Sequence, residues 1–222
     1  MATTHVKQVI KETIQDQFNW DDRVQAENIN IDVADGTVKL SGEVYNYSSR
    51  MAAEEDALSV YGVVGVENNL KVRYPETYNV LSDDEIKFAI ENNLKFDNRI
   101  EHRNINISVN NGIVTINGNV NFFWKKDVVE SYCYRIAGVV DVNDKITVTP
   151  QGEYSDQDIA SDLDRAFRRS GYINADEVKI QVSDGEVTLS GKVPSYVARI
   201  RANELAQFTT GVVNVIDKLI LR

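Results

Sequence analysis

The chain has 222 residues, of which 42% are hydrophobic and 26% charged, a composition within the ordinary globular range. A net charge of −10 and a pI near 4.8 argue against a nucleic-acid binder, which carries a basic footprint. One cysteine, Cys133, excludes an intramolecular disulfide framework and a thiolate zinc cluster, and no apolar run reaches the length of a membrane span.

The first predicted element is a helix with Ile10, Ile14 and Phe18 at four-residue spacing, a single apolar stripe. A strand follows, alternating at Ile29, Ile31 and Val33. Then comes a ten-residue stretch, Asp35-Gly36-Thr37-Val38-Lys39-Leu40-Ser41-Gly42-Glu43-Val44. Asp-Gly is a hairpin dipeptide because a two-residue type I′ turn needs φ > 0 at both central positions. The second glycine, Gly42, interrupts the strand interior and predicts a bulge or a close backbone approach. A second helix over 48–61 has a seam of small residues, Ala53 and Ala57, and Gly62 is expected to cap its end. Leu70 and Val72 mark a third strand.

The same series then returns twice. From Gly36 to Gly112 is 76 residues and from Gly112 to Gly185 is 73, and the same offsets carry Gly62 to Gly138 and Gly211. A period covering nearly the whole chain identifies an internal repeat. First-helix stripes recur at Ile86, Ile90, Leu94 and at Ile159, Leu163, Phe167, and second helices are predicted over 124–137 and 197–210. Copies two and three open with capping boxes, Ser82 with Glu85 and Ser155 with Asp158. Copy one has Val6 at that position, so its first helix must start differently or fray. The predicted fold class is α+β: three tandem α-β-β-α-β modules over 1–74, 80–149 and 154–222. Each is a three-stranded sheet with two helices on one face, and Gly36, Gly112 and Gly185 are the structural turn residues. Modules of about 70 residues have marginal cores and are expected to touch one another.

A first helix, a hairpin bearing D-G-x-V-x-L-S-G-x-V, a second helix and a closing G-V-x-x-V together resemble the BON domain, named for bacterial osmotic-stress and nodulation proteins. Trp20-Asp21 and Phe96-Asp97 are similar to that family's aromatic-acidic pair; copy three departs, with Arg169-Ser170. The resemblance implies a module without catalytic residues. It also implies association with envelope stress, with anionic phospholipid, and with membrane or protein partners.

The residues themselves offer no competing chemistry. Asp35, Asn111 and Asp184 read as turn residues, since one copy carries an amide there. His5 and His102 have no companions at metal-ligand spacing. Cys133 aligns with Ala57 and Ala206 and reads as a small buried hydrophobe. Ser41 and Ser190 are replaced by Asn117 in copy two, and the sequence suggests no activating base for them. No enzyme activity, cofactor, metal or nucleic acid is therefore expected.

What one copy has and the others lack is more informative. Copy two reads Asn121-Phe122-Phe123-Trp124-Lys125-Lys126, where copy one has Tyr45-Asn46-Tyr47-Ser48-Ser49-Arg50 and copy three Pro194-Ser195-Tyr196-Val197-Ala198-Arg199. Phe123 and Lys126 have aromatic and basic counterparts every time and read as structural. Phe122, Trp124 and Lys125 are left over. Two large aromatics beside two lysines suit a membrane interface or a protein hot spot, or burial against a neighbouring copy. Copy three also gathers Arg165, Arg168 and Arg169 at a helix end, where they complement the dipole or hold an anionic head group. The candidate binding residues are therefore Phe122, Trp124, Lys125, Lys126, Arg165, Arg168 and Arg169. The leading expectation is a stress-associated protein engaging anionic phospholipid surfaces, and the alternative is a protein-protein adaptor or chaperone-like factor. Residues 1–79 carry 7 basic and 13 acidic side chains, so lipid contact is expected on copies two and three. Without a basic segment followed by an apolar core at its start, the chain reads as cytoplasmic, or periplasmic if a signal was removed.

Overall fold

The computed structural model describes residues 2–221. Copy one runs α1 (Ala2–Trp20), β1 (Ile29–Ala34), β2 (Thr37–Val44), α2 (Tyr47–Leu58) and β3 (Gly65–Val72). Copy two runs α3 (Asp83–Phe96), β4 (Ile105–Asn110), β5 (Ile113–Val120), α4 (Phe123–Tyr134) and β6 (Asp141–Val148). Copy three runs α5 (Asp156–Arg169), β7 (Val178–Ser183), β8 (Glu186–Val193), α6 (Tyr196–Gln207) and β9 (Asn214–Leu221). The expected α-β-β-α-β order is present three times, and each copy has its own three-stranded sheet, ordered β1-β2-β3, β4-β5-β6 and β7-β8-β9.

In copy one, β1 and β2 pair antiparallel from Ile29 opposite Gly42 to Ala34 opposite Thr37, while β2 and β3 pair parallel. A parallel neighbour requires a crossover, and α2 supplies it. Alternation then sorts the faces: Ile29, Ile31 and Val33 are buried while Asn30, Asp32 and Ala34 are exposed. The buried face joins Ile10, Ile14 and Phe18 of α1 and Ala53 and Ala57 of α2 in one core. Copy three repeats this with Phe167, Ile159 and Leu163 over Val187 and Leu189. Phe18 and Phe167 are almost wholly buried, a burial that stabilises by roughly 1.5–3 kcal/mol for each such side chain.

The turn residues behave as their type I′ assignment requires. Asp35, Asn111 and Asp184 have φ of 51°, 50° and 52°, and Gly36, Gly112 and Gly185 follow at 81°, 74° and 76°. The second glycine is a close approach: at Gly42 (φ 123°) and Gly191 (φ 116°) a Cβ would collide with the carbonyl oxygens of Asn28 and Glu177.

Two expectations about the second helix, its end and its glycine cap, need correction. The second helices end three residues early, at Leu58, Tyr134 and Gln207, and Gly62 lies four residues past the helix in the following turn. Ser59 takes the helix C-cap in the right-handed region, so the φ of 86° at Gly62 serves the turn into β3. Copy one, having no serine at position 6, starts its first helix at Ala2 and runs 19 residues, against 14 in the other copies. In copies two and three the first turn of that helix also holds the hairpin. Asp83 accepts the backbone N–H groups of Asn111 and Gly112 at 2.7 and 2.9 Å, and Asp156 accepts those of Asp184 and Gly185 at 3.0 and 2.9 Å. Copy one has Lys7 there and lacks the clamp.

The described residues form two compact units, and the division runs through copy two. One comprises the chain up to Asn98 with Ile107–Ile116 and Glu130–Asp144; the other comprises Arg99–Asn106, Asn117–Val129 and the chain from Lys145 onward.

Candidate functional site

The copy-two cluster sits at the opening turn of α4, inside the second unit. Phe122 occupies the N-cap position. Its counterparts Asn46 and Ser195 accept the N–H of Ser49 at 2.8 Å and of Ala198 at 3.2 Å, whereas Phe122 has no side-chain oxygen to offer. Phe123 is buried and shares a core with Phe167 and Leu163 of copy three. Trp124 is half-buried, its ring 5.8 Å from that of Phe208 in copy three. The size of Trp124, which no requirement common to the copies explains, is therefore used in docking one copy on the next.

Lys125 departs furthest from expectation. Residue type suggests a solvated cation, yet only 5% of it is exposed. Its counterparts Ser49 and Ala198 are each 1% exposed, so the position is buried in every copy. The ammonium pairs with both oxygens of Glu101, at 2.8 and 2.7 Å, and lies 5.7 Å from the rings of Phe122 and Trp124. Lys125 in turn draws the Glu101 carboxyl below its ordinary range. A cation at a helix start opposes the macrodipole, and Glu101 offsets it. Glu101 was not singled out in the sequence, although the signal was there. It replaces Gln25 and Asn174, and the one acid of the three accompanies the one lysine among Ser49, Lys125 and Ala198.

The always-basic position behaves as a structural one. Arg50 pairs with Asp141 of copy two at 2.8 Å, and Lys126 reaches the Ile146 carbonyl at 3.4 Å. Arg199, 3% exposed, pairs with Asp217 of its own copy at 2.7 Å. The copy-three arginines are similarly engaged. Arg165 pairs with Asp162, and Arg168 pairs with Asp164 at 2.9 Å and Asp176 at 3.2 Å. Arg169 is exposed at the end of α5. Phe122, Trp124 and Lys125 are thus brought together, and among the described residues no hydrogen bond, ion pair or ring contact links them to the three arginines.

The aromatic-acidic pairs that close the first helices of copies one and two form a second feature. Trp20 is 82% exposed and Phe96 is 84% exposed, at equivalent positions closing α1 and α3. The acid after each is fixed from behind. Asp21 takes a bidentate ion pair from Arg23, the closest contact 2.7 Å, and that hydrogen bonding holds its carboxyl low. Asp97 accepts the Tyr132 hydroxyl at 2.6 Å. The aromatic is left outward while its neighbour anchors the turn.

Cys133 is fully buried, and burial pushes its thiol up to about 12, with Glu130 and Asp144 adding to the shift. That is a packing residue, since the thiolate is the reactive form. Among the described residues no group of three or more His, Cys, Asp or Glu is placed to hold a metal ion. No helix among them is long and apolar enough to cross a membrane.

Comparison with known proteins agrees with the repeat. The BON domain matches at residues 7–74, 82–150 and 155–222. Osmotically-inducible protein Y of Escherichia coli (strain K12) is 26% identical over 147 residues, covering 64% of this chain and 73% of that protein. Among solved structures, CdsD, a structural protein of the type III secretion system of Chlamydia trachomatis, is 15% identical, with 95% of this chain and 91% of that one covered at a TM-score of 0.26. The CdsD C-terminal domain gives 16% identity, 95% and 96% coverage and the same TM-score. Likeness at that level bears on neither the fold nor the partners of this chain. Three matches that together span most of the chain, each carrying the hairpin motif at a type I′ turn and the same order of elements, show that the chain belongs to the BON-domain family.

Proposed function

We propose that this chain is a non-enzymatic, osmotic-stress-associated binding protein that grips a protein partner through paired aromatic knobs. The observation that carries this reading is the exposure of Trp20 and Phe96, 82% and 84%, at the same position of two successive copies. Large aromatics dominate the energetics of protein interfaces when a partner desolvates them. The stress association rests on BON-family membership and on the likeness to an osmotically inducible protein.

The anionic-phospholipid reading is the second, and the geometry weakens it. Such binding needs free cations near the surface, each contributing about 1 kcal/mol. Here Lys125, Arg165 and Arg168 are held by carboxylates of the chain itself, and the net charge of −10 repels an anionic membrane. Arg169, exposed and in the position equivalent to Phe96, is the observation that keeps this reading in view.

The deciding experiment compares the intact chain with a Trp20→Ala, Phe96→Ala variant. Circular dichroism should not change, because both side chains are already in solvent. Retention of soluble, membrane-cleared extract proteins on the immobilised chain should be lost in the variant, while phosphatidylglycerol vesicles should sediment neither form. Vesicle co-sedimentation that is salt-sensitive and lost in the variant would replace the protein partner with a lipid surface.

A further inference from the structure

At the carboxyl ends of the parallel strands β2 and β3 lies a cleft of about 430 Å³, within the first unit and lined by Glu43, Tyr45, Arg73, Tyr74, Pro75 and Glu76. Its walls are fixed by hydrogen bonds. The Arg73 N–H donates to the Val44 carbonyl at 2.8 Å, which lays the chain leaving β3 beside the end of β2. The Tyr45 N–H donates to Gln25 Oε1 at 3.2 Å. Tyr74 is half-buried and donates its hydroxyl to the Val139 carbonyl at 3.3 Å, so its polar end is engaged and its ring is left to line the cleft.

No requirement common to the copies explains these residues. Tyr45 is replaced by Asn121 in copy two and Pro194 in copy three, Glu43 by Asn119 and Lys192, and in copy two Arg73 and Tyr74 become Thr149 and Pro150. There the Asn119 amide closes the strand ends with neutral hydrogen bonds to Thr147 and Thr149 at 3.2 and 2.6 Å. Copy one sets opposite charges at the positions of Asn119 and Thr149. Arg73 and Glu43 approach only to 3.4 Å and stay 75% and 47% exposed. An ion pair in that much water holds its partners weakly. The Tyr45 side chain, 39% exposed, makes no hydrogen bond among the described residues.

Charge and ring surface together select the guest. Glu43 and Glu76 outnumber Arg73, and residues 1–79 carry 13 acidic against 7 basic side chains, so the field draws a cation. A primary ammonium needs acceptors for three N–H groups. Tyrosine ring faces are poor ones, and both carboxylates are exposed and hydrated, balancing charge without closing on a donor. A quaternary ammonium spreads its charge over methyl groups, needs no acceptor and is held by aromatic rings.

We propose that this cleft binds a small ligand with a trimethylammonium head, its methyl groups packed on the rings of Tyr45 and Tyr74 and its charge balanced by Glu43 and Glu76. Free solutes and choline lipids both carry that group, and the test separates them.

The full chain is titrated with choline by calorimetry, and amide shifts in NMR spectra locate the site. Binding should saturate, with the shifts centred on residues 42–45 and 73–76. Neohexyl alcohol, the uncharged molecule of the same shape, should bind about tenfold more weakly or worse, as should ethanolamine, which keeps the charge and lacks the methyl groups. Tyr45→Asn and Glu43→Asn write copy-two residues into copy one; each should weaken choline binding several-fold with circular dichroism unchanged. Arg73→Thr, also the copy-two residue, should strengthen binding by removing a competing cation. Phosphatidylcholine vesicles that sediment the chain, and release it when choline is added, assign the group to a lipid head; vesicles that leave the chain in solution assign it to a free solute. A choline titration that does not saturate, equal binding of either analogue, or a Tyr45→Asn chain that binds like wild type would overturn the proposal.

Discussion

At the end of its first helix, copy one places two carboxylates, Asp21 and Asp56, where copy two places a carboxylate and a hydroxyl, Asp97 and Tyr132. In copy two the Tyr132 hydroxyl donates to Asp97 at 2.6 Å, and the contact is a neutral-to-charged hydrogen bond. In copy one Arg23 takes Asp21, and the Asp56 Oδ2 is buried with no hydrogen-bond partner among the described residues. Burial, then the charge of Asp21, pushes the Asp56 carboxyl up to about 6. A few residues away the start of the second helix shows the same freedom: one buried position holds Ser49, Lys125 or Ala198. The lesson is that the fold dictates burial at a position and leaves its chemistry open, provided a partner changes with it. Glu101 is that partner for Lys125; the Asp56 Oδ2 has no hydrogen-bond partner among the described residues.

The comparison breaks first where the copies agree. Gly191→Val puts a side chain against the Glu177 carbonyl at a φ of 116°, so both strain and collision apply. A loss of about 3 kcal/mol or more is expected in denaturant unfolding. Unchanged unfolding would mean that the two strands do not approach as described.

The next largest effect is expected at the buried lysine. Glu101→Ala leaves the Lys125 ammonium buried without its counterion and should cost about 2 kcal/mol. Lys125→Ala, which writes the copy-three residue into copy two, should cost less. The double variant should be less destabilised than the two changes added together, and strict additivity would show that the pair is not coupled.

Asp56→Tyr transplants the copy-two solution into copy one. Because the folded pKa of Asp56 is raised above its ordinary 3.8, the folded chain holds that proton more firmly. Stability therefore falls as pH rises from about 4 to about 6, and the penalty is fully present above that window. Asp21, held low by Arg23, acts in the opposite sense: its contribution is lost as pH falls below the ordinary carboxylate range. The substitution should gain about 1 kcal/mol at pH 7, the figure discounted because Asp56 is only half-buried, and flatten the dependence between pH 4 and 6. Thermal melts across that range check both statements.

The smallest effect concerns the cap that copy two lacks. Phe122→Asn restores an oxygen to accept the N–H of residue 125, as Asn46 does for Ser49 at 2.8 Å. A gain of up to about 1 kcal/mol is expected, reduced by the lost contact of the Phe122 ring with Lys125. A loss of stability would show that the ring contact outweighs the cap.

Sequence alone determined the period, the order of elements, the faces of the strands and the turn type, because each rests on local geometry that residue spacing records. Asp-Gly and Asn-Gly specify positive φ at two consecutive residues; Ile29, Ile31 and Val33 specify an inward face; Ile159, Leu163 and Phe167 specify a helical stripe. Three copies sharpened this, since a feature common to all could be assigned to the fold. Only the tertiary structure decided which polar groups face water. Lys125 reads as a solvated cation in the chain and is buried in the protein, because Glu101, 24 residues earlier, lies within hydrogen-bonding reach of it. For Trp124 the sequence left contact with a neighbouring copy open beside an exposed site, and the ring of Phe208 decides it; the exposure of Trp20 and Phe96 was illegible, since aromatic residues look alike in a sequence whether a neighbour covers them or not. Burial of a large side chain depends on surface brought from elsewhere in the chain, and local spacing carries no record of that surface.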